Sequence, residues 1–137
     1  MQKIIIKTKE TKEIVDLTDK INSLIKNNVS KSGFCHLFLT HTTAALTTAY
    51  LNPDTELSII DALQVPVQVP IPEGHKEFNI HEHTHLPVRL PDDIVASYIG
   101  TSLSIPFEKG KLLLGKIQRI VLVELNGPRK REILIEC

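Results

Sequence analysis

Apolar residues change period several times along the chain, and each change marks an element. "KIIIKTKETKEIVDLT" is rich in Ile, Val and Thr around a polar Glu10-Thr11-Lys12, which predicts strands near 3–8 and 13–17 joined as a hairpin. The period then lengthens. Ile21, Leu24, Ile25 and Val29 share one helical face, with Thr18 as N-cap and Gly33 beyond the end. "FCHLFLTH" (34–41) alternates again, with Phe34, His36, Phe38 and Thr40 on one face and Cys35, Leu37, Leu39 and His41 on the other. "TTAALTTAYL" continues as strand with little side-chain bulk, so its backbone is open to close approach.

"NPDTELSIIDAL" reads as a helix with Asn52 as N-cap and Pro53 in the first turn. "QVPVQVPIPEG" carries too many prolines for central sheet and is a loop or edge segment, and "HEHTHLPVRLP" stays extended. "PDDIVASYIG" is a short helix, opened by Pro91 and closed by Gly100, with two aspartates favouring its N-terminus. The remainder is strand: "SLSIPF", an "EKGK" turn, "LLLG", "IQRIVLVEL", an "NGPR" hairpin turn and "REILIEC". The expectation is one α+β domain over 1–137, β-rich, with antiparallel sheets and about three short helices.

Charge and composition narrow the partners. Lys+Arg and Asp+Glu balance at 16 each, which argues against nucleic acid as the main partner. No apolar run reaches membrane-spanning length, and "MQKIIIKTKE" is too short an apolar run for a signal-peptide core, so the expectation is a cytoplasmic protein without a membrane partner. Cys35 and Cys137 lack metal-type spacing, and free thiols are expected.

The candidate chemistry begins at "HEHTHLP". In a strand, His81, His83 and His85 point to one side, where they form either a metal ribbon or a tolerant surface. The outer two stand about 13 Å apart at ~3.3 Å per residue, too far for one ion to collect all three. The central His83 is the favoured ligand, joined by His41, with His81 as an alternative and His85 orienting the turn. His41 ends a rigid strand and points either into a site or to a hydrogen bond; His36, of opposite parity, is structural. Asp92 and Asp93 either compensate the helix N-terminus or complete a His/His/Asp set that binds a divalent cation, zinc or magnesium. The Gly100-Thr101-Ser102 turn and Arg129 and Arg131 suit phosphate, though the arginines also read as a solvated basic turn.

Three ordered stretches resemble the YjbQ-like family, small and long-uncharacterised proteins associated with secondary thiamine-phosphate synthase activity. "FCHLFLTHTTAAL" (34–46) is similar to its His-Thr-Thr/Ser-Ala signature, "IGTSLSIPFEKGKLLLGKIQ" (99–118) to its second signature, and "NGPRKRE" (126–132) to its Asp-Gly-Pro-Arg-x-Arg turn. The resemblance implies a β-rich α+β fold, a homotrimer, and a site containing His41, Thr42, Thr43 and Gln118. It aligns a second site histidine with His83, sets His81 where the family has tyrosine, and sets Asp93 where it has a third histidine. The family's Asn-Glu pair falls near Ala49 and Tyr50, and its tryptophan at Ile117.

The implied activity joins a pyrimidine methyl diphosphate to a thiazole phosphate and releases diphosphate, so a small phosphorylated metabolite is the expected partner. His41 and Asp93 are the expected catalytic pair. The alternatives are a trimeric protein that binds a metal or phosphometabolite without turnover, and a metal-dependent hydrolase.

Overall fold

The computed structural model describes residues 1–29, 31–52, 59–63 and 89–137, together with the backbone of 67–70 and 85–88. Its elements are β1 (Gln2–Lys7), β2 (Glu13–Asp16), α1 (Thr18–Ile25), β3 (Ser32–Leu39), β4 (Ala44–Tyr50), β5 (Val67–Pro70), β6 (His85–Val88), α2 (Asp92–Ile99), β7 (Ser102–Glu108), β8 (Lys111–Leu112), β9 (Gln118–Glu124) and β10 (Lys130–Glu136). Residues 59–63 form a further helical stretch. The α+β class with antiparallel sheets is as expected. No helix among the described residues is long and apolar enough to cross a membrane.

Two sheets carry the fold. One runs β1-β10-β3-β7-β8 and the other β2-β9-β4, with every strand pair antiparallel. Alternation along each strand decides what lies between them. Ile4 and Ile6, Cys35, Leu37 and Leu39, Ile120 and Leu122, and Ile133 and Ile135 all face this layer. Ile21 and Ile25 of α1 join the same cluster. The three-stranded sheet is buried on its other face too. There Val121, Val123 and Leu125 pack under Val95 and Ala96 of α2 and against Ile59, Ile60 and Leu63. This two-sided burial explains the apolar run "IVLV" at 120–123.

Several local expectations are corrected. β1 and β2 do not form a hairpin: β1 pairs with β10, and β2 with β9. Likewise "NGPR" is no hairpin turn but a crossover from β9 in one sheet to β10 in the other. In both cases the linker looks like a turn, but burying two amphipathic strands in a shared core favours opposite sheets over direct pairing. α1 ends at Ile25, leaving Val29 exposed. Thr18 does not cap it. Its hydroxyl instead accepts from the Ile120 N–H at 2.8 Å, tying the helix to β9, while Asp16 accepts from the Thr18 N–H.

The cysteines are also corrected. Cys35 and Cys137 are joined as a disulfide across 102 residues. The register explains why spacing gave no hint: Glu136 lies opposite His36 in the β10–β3 ladder, so the next residue along lies opposite Cys35.

Among the described residues β5 and β6 pair only with each other, in agreement with an edge character for the proline-rich stretch. The helix expected from Asn52 is described only over 59–63; its start lies outside the described residues. Gly100 closes α2 as expected, at φ 110°, donating its N–H to the Ala96 carbonyl.

The crossover is tightly seated. The Gly127–Pro128 peptide is cis, and the Gly127 N–H donates to the Thr11 carbonyl at 2.9 Å. A Cβ on Gly127 would run into the Glu10 carbonyl oxygen and come within 2.9 Å of Glu124 Cγ and Thr8 Oγ1. Gly127→Ala is therefore expected to lower folding stability by ~1–3 kcal/mol, the usual cost of overpacking a filled space. Urea unfolding of the variant measures it, and an unchanged midpoint would show that the crossover yields freely.

Candidate functional site

At one end of the inter-sheet layer the apolar rows turn polar together. The inward row of β1, Ile4 and Ile6, continues to Thr8. Ile120 and Leu122 on β9 continue to Glu124. Ile135 and Ile133 on β10 continue to Arg131. Beyond the inward row of β3, at Leu39, lies the half-buried His41.

Glu124 is 0% and Arg131 2% exposed. Taking both charges out of water is costly unless every polar atom is matched. Here the matching is close. The Arg131 guanidinium grips the carboxylate with two nitrogens, Nε donating to Oε2 at 2.8 Å and the other to Oε1. The Asn126 N–H and the Thr8 hydroxyl also donate to the carboxylate, at 3.0 and 2.9 Å. Arg131 further donates to the hydroxyl and carbonyl of Thr43, at 2.9 and 3.0 Å. Burial alone would raise the Glu124 pKa, but the hydrogen bonds from Arg131, Asn126 and Thr8 outweigh it and hold the carboxyl below its ordinary range.

This ion pair fixes the loop at 40–43. The Thr40 N–H donates to the Glu132 carbonyl at 3.2 Å, and the Leu125 N–H to the Thr43 carbonyl at 3.3 Å. His41 Nε2 accepts the Glu132 N–H at 2.9 Å. Burial, then the positive charges of Arg131 and Arg129, lower the His41 pKa from its ordinary 6.5; Glu132 and Glu124 oppose them without prevailing. His41 is thus a neutral imidazole at pH 7. Because Nε2 is an acceptor, its proton resides on Nδ1.

The second signature lies alongside. The Leu39 N–H donates to the Thr101 carbonyl and the Leu46 N–H to the Gly100 carbonyl, so the turn at 100–102 bridges the end of β3 and β4. Thr42 and Arg129 are exposed, whereas Ser102 is exposed on the outer face of β7 opposite Phe38. Arg129 Nε donates to the Asn126 carbonyl at 2.7 Å, and its backbone N–H to the Thr8 hydroxyl at 2.8 Å.

Some of the expected phosphate residues lie near one another: Thr43 is held by Arg131 and His41 by Glu132, with Thr42 between them, and the charge of Arg129 reaches His41. Gly100 and Thr101 abut β4 and the end of β3 through their carbonyls. Arg131 is buried and paired with Glu124, and is neither a solvated turn residue nor open to a ligand. Gln118 lies apart. It pairs with Tyr50 at the far end of β4 and β9, about 20 Å from Ala44 and Glu124 at ~3.3 Å per residue. Its side chain donates to Thr48 and accepts from the Gly115 N–H. Asp93 is exposed on the first turn of α2. Its neighbour Asp92 pairs with Lys12 at 2.9 Å, and Lys12 also donates to the Leu125 carbonyl, which ties the helix start to the same region.

The metal expectation meets an obstacle at His41. Its Nε2 lone pair is taken by Glu132, and its other nitrogen carries the proton, so this imidazole offers no electron pair to a cation. Among the described residues no group of three His, Cys, Asp or Glu side chains is placed to hold a metal. His81 and His83 lie outside the described residues, as does the side chain of His85.

Glu124, Thr8 and Lys12 belong to the region without carrying any motif. Glu124 had a readable signal: an acid at an inward position of a strand that is otherwise apolar on both faces needs a buried partner.

Comparison with known proteins identifies the family. A sequence model described as "UPF0047 protein YjbQ-like" matches residues 2–137. The chain belongs to the YjbQ-like UPF0047 family. A UPF0047 protein of Archaeoglobus fulgidus is 31% identical over 133 residues, 96% of each chain. Another from Methanocaldococcus jannaschii is 33% identical, covering 96% of this chain and 88% of that one. Among solved structures, an uncharacterized YjbQ/UPF0047 protein of Clostridium acetobutylicum superposes with a TM-score of 0.76 at 25% identity, over 99% of this chain and 98% of that one. A YbjQ-like protein of unknown function from Sulfolobus solfataricus gives 0.74 at 26% identity, over 98% and 92%.

The buried pair makes the site sensitive to charge. Glu124→Gln leaves Arg131 charged and uncompensated, and should cost about 3–5 kcal/mol of stability, read by chemical denaturation. Because the folded-state pKa of Glu124 lies below its unfolded value of about 4.5, its contribution is complete above that pH and is lost as pH falls through the folded value. Wild-type stability should thus decline below about pH 4.5 more steeply than that of the variant. Parallel acid profiles would show that Glu124 is not the titrating group.

Proposed function

We propose that the chain binds a small phosphorylated metabolite at the end of the inter-sheet core, and that its activity in the family is of the thiamine-phosphate synthase type. One observation carries the binding reading. The buried charges of Glu124 and Arg131 cancel, while the guanidinium of Arg129 is exposed and adds positive charge to the surroundings of His41. Cation and neutral donors on a fixed backbone suit an anion that must be held in one orientation.

The synthase reading assigns these groups to the diphosphate that departs as the pyrimidine methyl carbon is joined to thiazole nitrogen. Holding both substrates in line and stabilising charge on the leaving oxygen are what such a step needs from a protein. Asp93, exposed at the helix start, would act on the rim. A divalent cation, zinc or magnesium, would have to take its ligands from His81, His83 and Asp93, leaving His41 to the substrate.

A second reading, binding without turnover, is favoured by Ala49, Tyr50 and Ile117 at positions where the family has Asn, Glu and Trp. Purified protein given both phosphorylated substrates separates the two: thiamine phosphate forms in one case and binding alone occurs in the other.

Assembly into a homotrimer belongs to the same proposal. Phe34 and Phe38 are 58% and 50% exposed on the outer face of β3, apolar surface that a second copy would cover. Sedimentation equilibrium at micromolar concentration should return three chain masses; a monomer would rule the trimer out.

For the binding site, Arg129→Ala should weaken inorganic diphosphate at least about tenfold, the lower end of the ~1.5–3 kcal/mol of a charge-assisted hydrogen bond, because the group is exposed. Calorimetry reads this, and an unchanged affinity would return Arg129 to the crossover alone.

A further inference from the structure

We infer that His41 works as a fixed neutral hydrogen-bond donor, presenting Nδ1–H to an oxygen of the bound anion, and not as a metal ligand or a proton-accepting base. The anion as acceptor rests on the phosphate reading above; the donor form of the ring rests on geometry alone.

The ring is held from outside the loop that carries it. His41 follows β3, and the group that fixes it is the Glu132 N–H of β10, at 2.9 Å from Nε2. A neutral imidazole has one lone pair and one N–H. Spending the lone pair on a backbone donor leaves only the N–H for anything else. The opposite tautomer would set two N–H groups against each other at 2.9 Å and leave the Glu132 amide without an acceptor. Charging the ring would do the same beside Arg131 and Arg129.

The backbone around the ring leaves it little room to change. The Thr40 N–H and hydroxyl both donate to the Glu132 carbonyl, at 3.2 and 3.3 Å, so the same peptide segment that donates to His41 also holds its neighbour. Two residues on, Thr43 is held by Arg131. A group clamped on both sides, with its acceptor atom spent, can polarise a ligand oxygen without first reorganising. Neutral N–H donation also differs from what Arg129 provides. A ligand oxygen that gains negative charge during reaction is stabilised by both, and the neutral donor adds no desolvation cost for a second cation.

Long-range proton–nitrogen spectra of the full chain with nitrogen-labelled histidine test this at pH 7.5. The His41 signals are identified by their loss in His41→Gln. The expected result is the Nδ1–H tautomer, unmoved by equimolar zinc chloride and shifted by inorganic diphosphate. A proton on Nε2, or a His41 nitrogen displaced by zinc, would overturn the inference. If diphosphate binds by calorimetry while the Nδ1 signal stays still, the donor role fails and the phosphate reading stands. If diphosphate does not bind at all, the phosphate reading fails and with it the acceptor assigned to His41.

A variant pair gives an independent measure. His41→Asn can present an amide N–H near the Nδ1 position and should hold diphosphate within about threefold of wild type, whereas His41→Ala should lose about tenfold. Equal losses in two variants with wild-type unfolding midpoints would overturn the donor role.

Discussion

The two sheets meet at a buried carboxylate–guanidinium pair, and the arrangement of the candidate site depends on it. Glu124 comes from the three-stranded sheet and Arg131 from the five-stranded one. Their attraction acts across the layer, at the point where the apolar rows of four strands stop. Hydrophobic burial holds the sheets together but is indifferent to small slides between them. A bidentate ion pair is not, because its two hydrogen bonds tolerate little misalignment. The pair is therefore better understood as a setting of register between sheets than as a large source of stability, since desolvation consumes much of its Coulomb gain.

From that setting the site follows in steps. After Arg131 meets Glu124, its Nη2 has one N–H left, which is shared between the two oxygens of Thr43. The loop at 40–43 is then pinned at its end, while Glu132, the next residue on β10, pins its middle through His41. Thr8 serves the same assembly from β1, donating to Glu124 and accepting from the Arg129 N–H. Arg129 and Arg131 are two apart in sequence but have opposite fates. One is buried to hold the loop, and the other is left in solvent where a ligand can reach it.

Much of this was legible in the sequence. Alternation correctly divided Cys35, Leu37 and Leu39 from Phe34, His36 and Phe38, because strand parity is a local property. The Pro91–Gly100 helix and the strands of the last third were readable for the same reason. What escaped were the facts that depend on pairing. Nothing local distinguishes a hairpin turn from a crossover at "NGPR", and nothing local says that residue 137 faces residue 35. The ambivalence over Arg131 has the same origin. Its partner Glu124 sits across a crossover in another sheet, and only the packing of the two sheets shows that both side chains are inward.

The alternating histidines at 81 and 83 lie outside the described residues, while His41 contributes in a way that residue type alone would not suggest. Histidine invites a choice among metal ligand, base and acid, and the choice is made by what the ring's other nitrogen touches. Here a backbone N–H touches it, so the loop conformation and the ring's chemistry are set by one hydrogen bond. That bond originates on β10, whose position is fixed by the Glu124–Arg131 pair. The same interaction that registers the sheets therefore determines which atom of His41 a ligand can meet.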